Sequence, residues 1–289
     1  MDGAFLYVTD ARGDDVGWAL LAAPVFGADE ARLAELVSAG YRFAGMPSYL
    51  DFPRRAPHGA AERCEAWLHP FRAPDRYLPR GTPRALLSHS DFTDVHRLER
   101  MRLPAVPASH DFVFVGCGEH RVAKNWPLAG RCIPRLCREL GLRALVVGEP
   151  CPELPERDGI EFAAPLEWPA LLAHLASARF LLAPNSLDPS PRVIAEALCM
   201  DLPVVVNRRI LGGWKYVNAF TGEFFDDERD VTRAAARCLA RPRAPRRWFR
   251  ANAGAYVSGA RLLRVLRSLD PRISESDHLL VIERPVPGR

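Results

Sequence analysis

The sequence contains no apolar run that approaches the ~18 residues needed for a membrane-spanning helix. Its first residues also lack the charged segment, apolar core and small-residue cleavage site of a secretory signal peptide. These absences predict a cytoplasmic protein with no membrane span. Peripheral association with a membrane surface stays open at this point.

Cysteine pairs with metal or redox spacing are also missing. The seven cysteines form no CxxC motif and no Cys/His cluster with zinc spacing, and several lie in apolar periodic stretches. We therefore expect a reduced compartment and no metal site built from cysteine.

Charge of one sign is not in large excess. The net charge is +4 over 289 residues, and arginine supplies nearly all of the positive charge, because Lys124 and Lys215 are the only lysines. This balance argues against a dedicated nucleic-acid partner. A basic segment at residues 241–250 is best explained as the solvated start of a helix.

Several motifs that would name an activity are absent. There is no Asp-x-Asp, the usual means of holding a divalent metal against a diphosphate, and no Gly-x-Ser-x-Gly elbow. The segment GCGEHR lacks the third glycine of a dinucleotide-binding motif, and Val147 is followed by Gly148 rather than by an acidic residue. We therefore expect no metal and no cofactor, and a dinucleotide-dependent oxidoreductase is disfavoured.

The first hundred residues alternate between apolar runs and amphipathic segments. Strands are predicted at residues 4–9, 41–46 and 84–88, and residues 18–26 form a strand or a short helix. Helices are predicted from Asp29, as N-cap, to Gly40 and over residues 60–69. This pattern indicates a short α/β domain with parallel pairing. Residues 101–110, rich in Ala and Pro, are the best candidate linker.

The second half repeats the alternation with more strands. Apolar strands at residues 112–115, 143–147, 160–162, 179–183 and 203–206 are separated by helical segments, which predicts a doubly wound parallel sheet. We divide the chain into a reduced N-terminal domain (1–105), a Rossmann-like domain (106–245) and a C-terminal helix and tail (246–289). The final helix is expected over residues 248–269, and residues 278–283 can add an edge strand.

The stretch at residues 185–206 reads NSLDPSPRVIAEALCMDLPVVV. Ser190 is a good N-cap, and Pro191 would occupy the first helical position. Asp188 stands eight residues before Glu196. A helix start beside carboxylates, at a strand-to-helix turn, suits a sugar attached to a diphosphate.

This pattern, acidic-P-S-x(5)-E-A-L-x-x-x-L-P-V-V-V, resembles the signature of retaining GT-B glycosyltransferases, family 4 in particular. The resemblance covers about residues 111–230, and Asp188 stands where the family usually has Glu. It implies two Rossmann-like domains of GT-B type, the N-terminal one reduced here. It also implies a hexosyltransferase-like enzyme whose partners are a nucleotide sugar and a glycan or other hydroxyl acceptor.

The segment GCGEHRVAKNW, after the strand at residues 112–115, is similar to the family's glycine-rich pyrophosphate loop. Gly116 and Gly118 would allow close backbone approach, and Arg121 and Lys124 would bind phosphate oxygens. The spacing from Gly116 to Lys124 is two residues longer than the family pattern, so Lys124 is the better match. Residues 161–168 correspond to the loop that contacts the base.

The resemblance thus assigns roles to particular residues. Asp188, Glu196 and Lys124 are the catalytic candidates, with Asp188 accepting from sugar hydroxyls and Glu196 from ribose hydroxyls. The donor-binding candidates are Gly116, Gly118, Arg121, Lys124, Asn185, Ser190, Arg192, Val193 and Glu196. The acceptor candidates are Ser48, Tyr49, His69 and Asp91.

Two functions follow as hypotheses. The first is a retaining, metal-independent glycosyltransferase in which the leaving phosphate oxygen helps to deprotonate the acceptor. The second is a noncatalytic nucleotide-sugar-binding module, in which the reduced first domain no longer recognises an acceptor.

Overall fold

The computed structural model describes residues 4–47, 60–107, 109–117, 121–155, 157–273 and 277–283. Contacts divide the chain into two compact units, of which unit 1 is Met1–Asp94 with Ala253–Arg289 and unit 2 is Val95–Asn252. The domain boundaries that the sequence predicts after residues 105 and 245 stay predictions. Each unit has its own six-stranded sheet.

The strands are β1 Phe5–Asp10, β2 Asp15–Leu21, β3 Arg42–Gly45, β4 Cys64–Leu68, β5 Arg84–Ala85, β6 Phe112–Val115, β7 Ala144–Val147, β8 Ile160–Ala163, β9 Phe180–Ala183, β10 Val204–Asn207, β11 Gly222–Phe225 and β12 Leu279–Ile282. The α-helices are α1 Ala28–Ser38, α2 Val95–Arg100, α3 Arg121–Lys124, α4 Trp126–Leu140, α5 Trp168–Ser177, α6 Arg192–Cys199, α7 Val231–Leu239, α8 Pro245–Asn252 and α9 Gly254–Arg267. Short 3₁₀ helices lie at Ala61–Arg63, Pro74–Arg76, His89–Phe92 and Trp214–Tyr216.

The sheet of unit 1 has the order β12-β1-β2-β3-β4-β5. Strands β2 to β5 are parallel, whereas β1 is antiparallel to both β2 and β12. The predicted parallel pairing is thus confirmed for β2 to β5 and does not extend to β1. The few residues between β1 and β2 allow only a hairpin, because a parallel connection needs about a dozen or more. The predicted C-terminal edge strand is confirmed as β12.

The helix predicted at residues 60–69 is instead a short 3₁₀ helix followed by a strand. Residues 64–68 form β4, and the side chains of Cys64, Ala66 and Trp67 are buried between its neighbours. Gly45 on β3 makes room for the Trp67 ring, since a Cβ there would overlap it. Burial in the sheet overrides the helical spacing of the apolar residues.

Two helix boundaries also differ from the expectation. Helix α1 begins at Ala28 with Gly27 as its N-cap, so Asp29 lies in the first turn and does not cap it. The predicted final helix is two helices, α8 and α9, because Ala253 between them has an extended backbone. The uncertain segment at residues 18–26 begins as strand β2.

The sheet of unit 2 has the order β11-β10-β9-β6-β7-β8, and every neighbouring pair is parallel. The predicted doubly wound sheet of at least five strands is thus confirmed. Its core includes the stacked rings of Phe112 and Phe180, whose centroids are 5.1 Å apart. Helix α4 ends at Gly141 in the left-handed conformation, as its sequence predicts.

One arginine of the basic segment after α7 has a structural role, whereas Arg241, Arg247 and Arg250 are exposed. The Arg243 side chain is 2% exposed, pairs with Glu223 at 2.6 Å and donates to backbone carbonyls of residues 219 and 222. Its charge is therefore committed inside unit 2. Within the described residues, all seven cysteines are free, and no helix is long and apolar enough to cross a membrane.

In unit 1, a buried carboxylate links the C-terminal segment to the sheet. Asp270 accepts a hydrogen bond from Trp18 Nε1 at 3.4 Å, pairs with Arg42 at 3.2 Å and with Arg272 at 2.8 Å. The Arg42 guanidinium also lies over the Trp18 ring. The hydrogen bond from Arg272, together with these neighbours, lowers the pKa of Asp270 below its usual range.

We expect Asp270→Asn to lower the free energy of unfolding by about 2 kcal/mol at neutral pH, because a buried charged acceptor is lost. Since the folded pKa is lowered, the stabilisation is present above the unfolded value of about 3.9 and disappears as pH falls through the folded pKa. Urea unfolding measured from neutral to acid pH would show the difference between variant and wild type shrinking. Asp75→Asn, which removes an exposed partner of Arg84, should leave stability unchanged.

In unit 2, the ring centroids of His110 and His174 lie 5.3 Å apart. His110 is buried. Burial is the main cause that lowers its pKa, and the charge of the neighbouring His174 is the second. Arg143 acts in the same direction, while Glu161 and a backbone contact oppose it. In the unfolded chain this imidazole takes up a proton near its ordinary pKa, about 6.5.

Stability should therefore fall as pH drops from about 7.5 to about 5.5, since the unfolded state binds more protons in that window. We expect His110→Phe to flatten this dependence in urea unfolding. The control His96→Phe, at a side chain 59% exposed, should keep the wild-type slope. If the unfolding free energy of His110→Phe depends on pH as steeply as that of the wild type, His110 is not the cause of the dependence.

Candidate nucleotide-sugar site

The candidate site lies at one edge of the sheet of unit 2. Strands β6, β9 and β10 are neighbours and parallel, so the segments that follow their carboxyl ends meet at the same edge. These segments are residues 116–124, 184–191 and 208–213. Open α/β sheets bind ligands at this edge.

The segments after β6 and β9 are joined by an ion pair. Lys124, the last residue of α3, places its Nζ 3.1 Å from Oδ2 of Asp188. The same oxygen accepts from Asn185 Nδ2 at 2.9 Å, and Oδ1 accepts from the backbone N–H of Ser190 at 3.2 Å. The structure thus brings together four residues that the sequence nominated.

Two asparagines that the sequence analysis missed support this junction. Asn125 and Asn207 each donate from Nδ2 to the carbonyl oxygen of Pro184, at 3.1 Å in both cases. Asn125 has a φ of 54°, a left-handed conformation that Asn tolerates better than most residues. An Asn directly after Lys124 was the signal that could have suggested this role.

The segment after β10 packs on the turn that holds Asp188. Gly212 donates its N–H to the carbonyl of Asp188 at 2.9 Å, and Leu211 donates to the carbonyl of Ser186 at 2.9 Å. A Cβ on Gly212 would overlap the carbonyl group of Pro189. The absence of a side chain at Gly212 therefore allows the two backbone segments to pack closely.

Helix α6 begins later than predicted. It spans Arg192–Cys199, with Pro191 at the N-cap and no side-chain cap, so Ser190 is not the cap residue. The Ser190 N–H is bound by Asp188 instead. Arg192 is exposed at the helix start, whereas Val193 is buried and contributes to packing.

Glu196 lies on α6 and contacts α5. Its Oε1 accepts a hydrogen bond from Trp168 Nε1 at 3.0 Å, and the Trp168 ring is covered on one face by the Arg97 guanidinium. Burial raises the pKa of the Glu196 carboxyl, while the Trp168 bond and the charges of Arg192 and Lys124 oppose the shift. Trp168 therefore orients Glu196, and this contact was not predicted from the sequence.

The glycine-rich segment differs from the expectation at its start. Gly116 donates its N–H to Val147, and its carbonyl accepts from Trp126 Nε1 at 2.9 Å. A Cβ at this position would overlap the Trp126 ring. The close approach at Gly116 therefore serves Trp126. Gly118 and the side chain of Arg121 lie outside the described residues.

The predicted acceptor residues belong to unit 1. Asp91 is buried and accepts from the N–H of Ser88 at 2.6 Å and from its Oγ at 2.9 Å, which closes a capping box. His69 is buried and its ring stacks on Phe71. Ser48 and Tyr49 lie outside the described residues. No group of three or more His, Cys, Asp or Glu among the residues described could hold a metal ion.

The chain has the GT-B fold, with two Rossmann-like units. Residues 109–241 match the family model for glycosyl transferases group 1. The predicted resemblance to glycosyltransferases is thus confirmed for this segment, which contains all of the site residues described in unit 2. The family match supports a glycosyltransferase. No curated protein matches the chain.

Solved structures show the same fold at low identity. Sucrose-phosphate synthase from Thermosynechococcus elongatus is 12% identical, with a TM-score of 0.59 over 84% of this chain and 72% of that chain. A glycosyltransferase from Rickettsia africae is 10% identical, with a TM-score of 0.58 over 86% and 76%. S. aureus MnaA, solved with UDP, is 13% identical, with a TM-score of 0.55 over 90% and 76%.

Proposed function

We propose that the protein is a glycosyltransferase that moves a sugar from a nucleotide-sugar donor to a hydroxyl acceptor. The observation that carries the proposal is the family match over residues 109–241, which includes Lys124 and Asn185 at the sheet edge and Glu196 on helix α6. The GT-B fold, which the chain shares with solved structures of 10–13% identity, is consistent with this activity.

In this proposal Lys124 binds the diphosphate of the donor and Glu196 accepts hydrogen bonds from the nucleoside ribose. Lys124 is half-buried, with 19% of its side chain exposed, so its charge is less screened than that of a surface lysine. The positive end of α6 lies in the same segment and favours negative charge. The cation and the helix end would stabilise the departing diphosphate without a metal.

The stereochemical outcome belongs to the same proposal. The transfer would retain the anomeric configuration, with the leaving phosphate oxygen taking the proton of the acceptor hydroxyl on the same face. This route needs no protein nucleophile. We also propose a cytoplasmic location, which agrees with the seven free cysteines.

A thermal-shift panel of UDP-, GDP-, ADP- and TDP-sugars tests the proposal. A donor at a hundred times its dissociation constant should stabilise the folded protein by about 2.7 kcal/mol. The bound donor should then be hydrolysed or transferred with unchanged rate in EDTA, and its product analysed for anomeric configuration. If none of the nucleotide sugars raises the transition temperature, the proposed donor class is wrong.

One observation favours the second candidate, a noncatalytic nucleotide-sugar-binding module. Asp91, a predicted acceptor ligand, is committed to its capping box with Ser88, and His69 is buried against Phe71. Two of the four predicted acceptor residues thus have structural roles. Binding of a donor without hydrolysis or transfer to any of a broad set of hydroxyl acceptors would establish the module instead.

A further inference from the structure

The carboxylate of Asp188 is largely occupied by the chain itself. It accepts from Lys124 Nζ at 3.1 Å, Asn185 Nδ2 at 2.9 Å and the N–H of Ser190 at 3.2 Å. A carboxylate offers about four acceptor positions, and only 12% of this side chain is exposed. Little acceptor capacity is left for a ligand.

We propose that Asp188 is a positioning residue and internal counter-ion for Lys124, and does not bind the transferred sugar. The inference rests on the proposed function, since it concerns how Lys124 meets a donor diphosphate. It departs from the role that the resemblance implies for this position. An Asp carboxylate sits about one methylene closer to its own backbone than a Glu, which suits contacts within its turn.

The turn itself holds the carboxylate in place. The carbonyl of Asp188 accepts from the N–H of Gly212, so the segment after β10 binds the backbone while Lys124, after β6, binds the carboxylate. The Asn185 side chain is buried, and its amide fixes Oδ2. Reorienting Asp188 towards a sugar would break these contacts together, whereas keeping them leaves Lys124 paired with Asp188.

A counter-ion at this position has a measurable consequence. The Lys124–Asp188 pair is neutral overall, so an incoming diphosphate is attracted by one charge and repelled by the other. Removing the carboxylate charge leaves a net positive site, and Coulomb interactions over such distances are about 1 kcal/mol even at high dielectric. Asp188→Asn should therefore bind sugar-free nucleoside diphosphates about threefold to tenfold more tightly.

Calorimetry with UDP, GDP, ADP and TDP, each compared with its sugar-bearing form, tests this consequence. We expect the same gain for both forms in Asp188→Asn, and Lys124→Met alone should weaken the binding of both forms. Unchanged or weaker diphosphate binding by Asp188→Asn overturns the proposal. A loss confined to the sugar-bearing form would identify Asp188 as a sugar ligand, which also overturns it.

A second measurement needs no nucleotide. The chain has only two lysines, Lys124 and Lys215, so reductive ¹³C-methylation gives two lysine signals in addition to that of the N-terminus. Asp188→Asn should shift the Lys124 signal, assigned with Lys124→Arg, and leave that of Lys215 in place. The control Asp226→Asn, which removes an exposed partner of Arg208, should move neither.

The two measurements distinguish a failure of this inference from a failure of the proposed function. An unshifted Lys124 signal in Asp188→Asn means that the pair does not form, and the inference is wrong whatever the protein binds. A shifted signal in a protein that binds none of the four diphosphates supports the pair and instead removes the proposed function.

Discussion

Glu196→Ala is expected to weaken nucleotide-sugar binding by about 10- to 100-fold while the protein stays folded. Hydrogen bonds to a charged group are worth about 1.5–3 kcal/mol each, which corresponds to that range. The variant keeps its helix, because Ala has the highest helix propensity. Calorimetric affinity for the donor found in the panel, with circular dichroism to monitor folding, measures both parts.

The protonation state of Glu196 adds a pH dependence. Burial raises the pKa of its carboxyl, and a protonated carboxyl is a poorer acceptor for ribose hydroxyls. Donor affinity should therefore fall with decreasing pH through the raised pKa, at a higher pH than for an ordinary Glu. The same dependence should be absent from Glu196→Gln, which cannot titrate.

Trp168→Phe provides the matched control for orientation. It removes the Nε1 donor that binds Glu196 at 3.0 Å but keeps an aromatic ring at the start of α5. We expect an intermediate loss of affinity, since the carboxylate remains but is held less firmly. Wild-type affinity in Glu196→Ala at every pH would show that this carboxylate does not contact the donor.

How far the sequence predicted the fold depended on the type of element. The strands of unit 2 are continuous apolar runs separated by helices, a pattern that has one common solution, and their parallel sheet was predicted correctly. Strand β4 was not, because Cys64, Trp67 and Leu68 also match a helical period. The sheet neighbours that decide between the two lie far away in the sequence.

The site was predicted to a similar degree. Lys124, Asn185 and Asp188 were nominated by the family resemblance, and they lie in segments that follow parallel strands, so the topology brings them together. Their mutual contacts were not predictable, since hydrogen-bond partners depend on side-chain directions. The Trp168–Glu196 bond joins two helices separated by a strand, and no local pattern records it.

Gly212→Ala is the second substitution with a large expected effect. The added Cβ would overlap backbone atoms of Pro189, which cannot rotate out of the way as a side chain can. Either residues 210–213 or the Asp188 turn must move, and the bond from the Gly212 N–H to the Asp188 carbonyl is strained or lost. Overpacking of this kind costs about 1–3 kcal/mol.

Because the displaced turn carries Asp188 and adjoins Lys124, we expect the stability loss to be accompanied by weaker binding of nucleoside diphosphates. Urea unfolding and calorimetry on the same preparation measure the two effects. The control is Gly141→Ala: its φ of 64° disfavours a side chain, but no atom lies within 4 Å of the added Cβ. That variant should lose about 1 kcal/mol of stability and keep its ligand affinity.

A Gly212→Ala protein with wild-type stability and affinity would mean that the segment after β10 does not pack on the Asp188 turn. The Asp188 backbone would then have no support from Gly212, and the contacts with Lys124, Asn185 and Ser190 would have to hold the carboxylate without it.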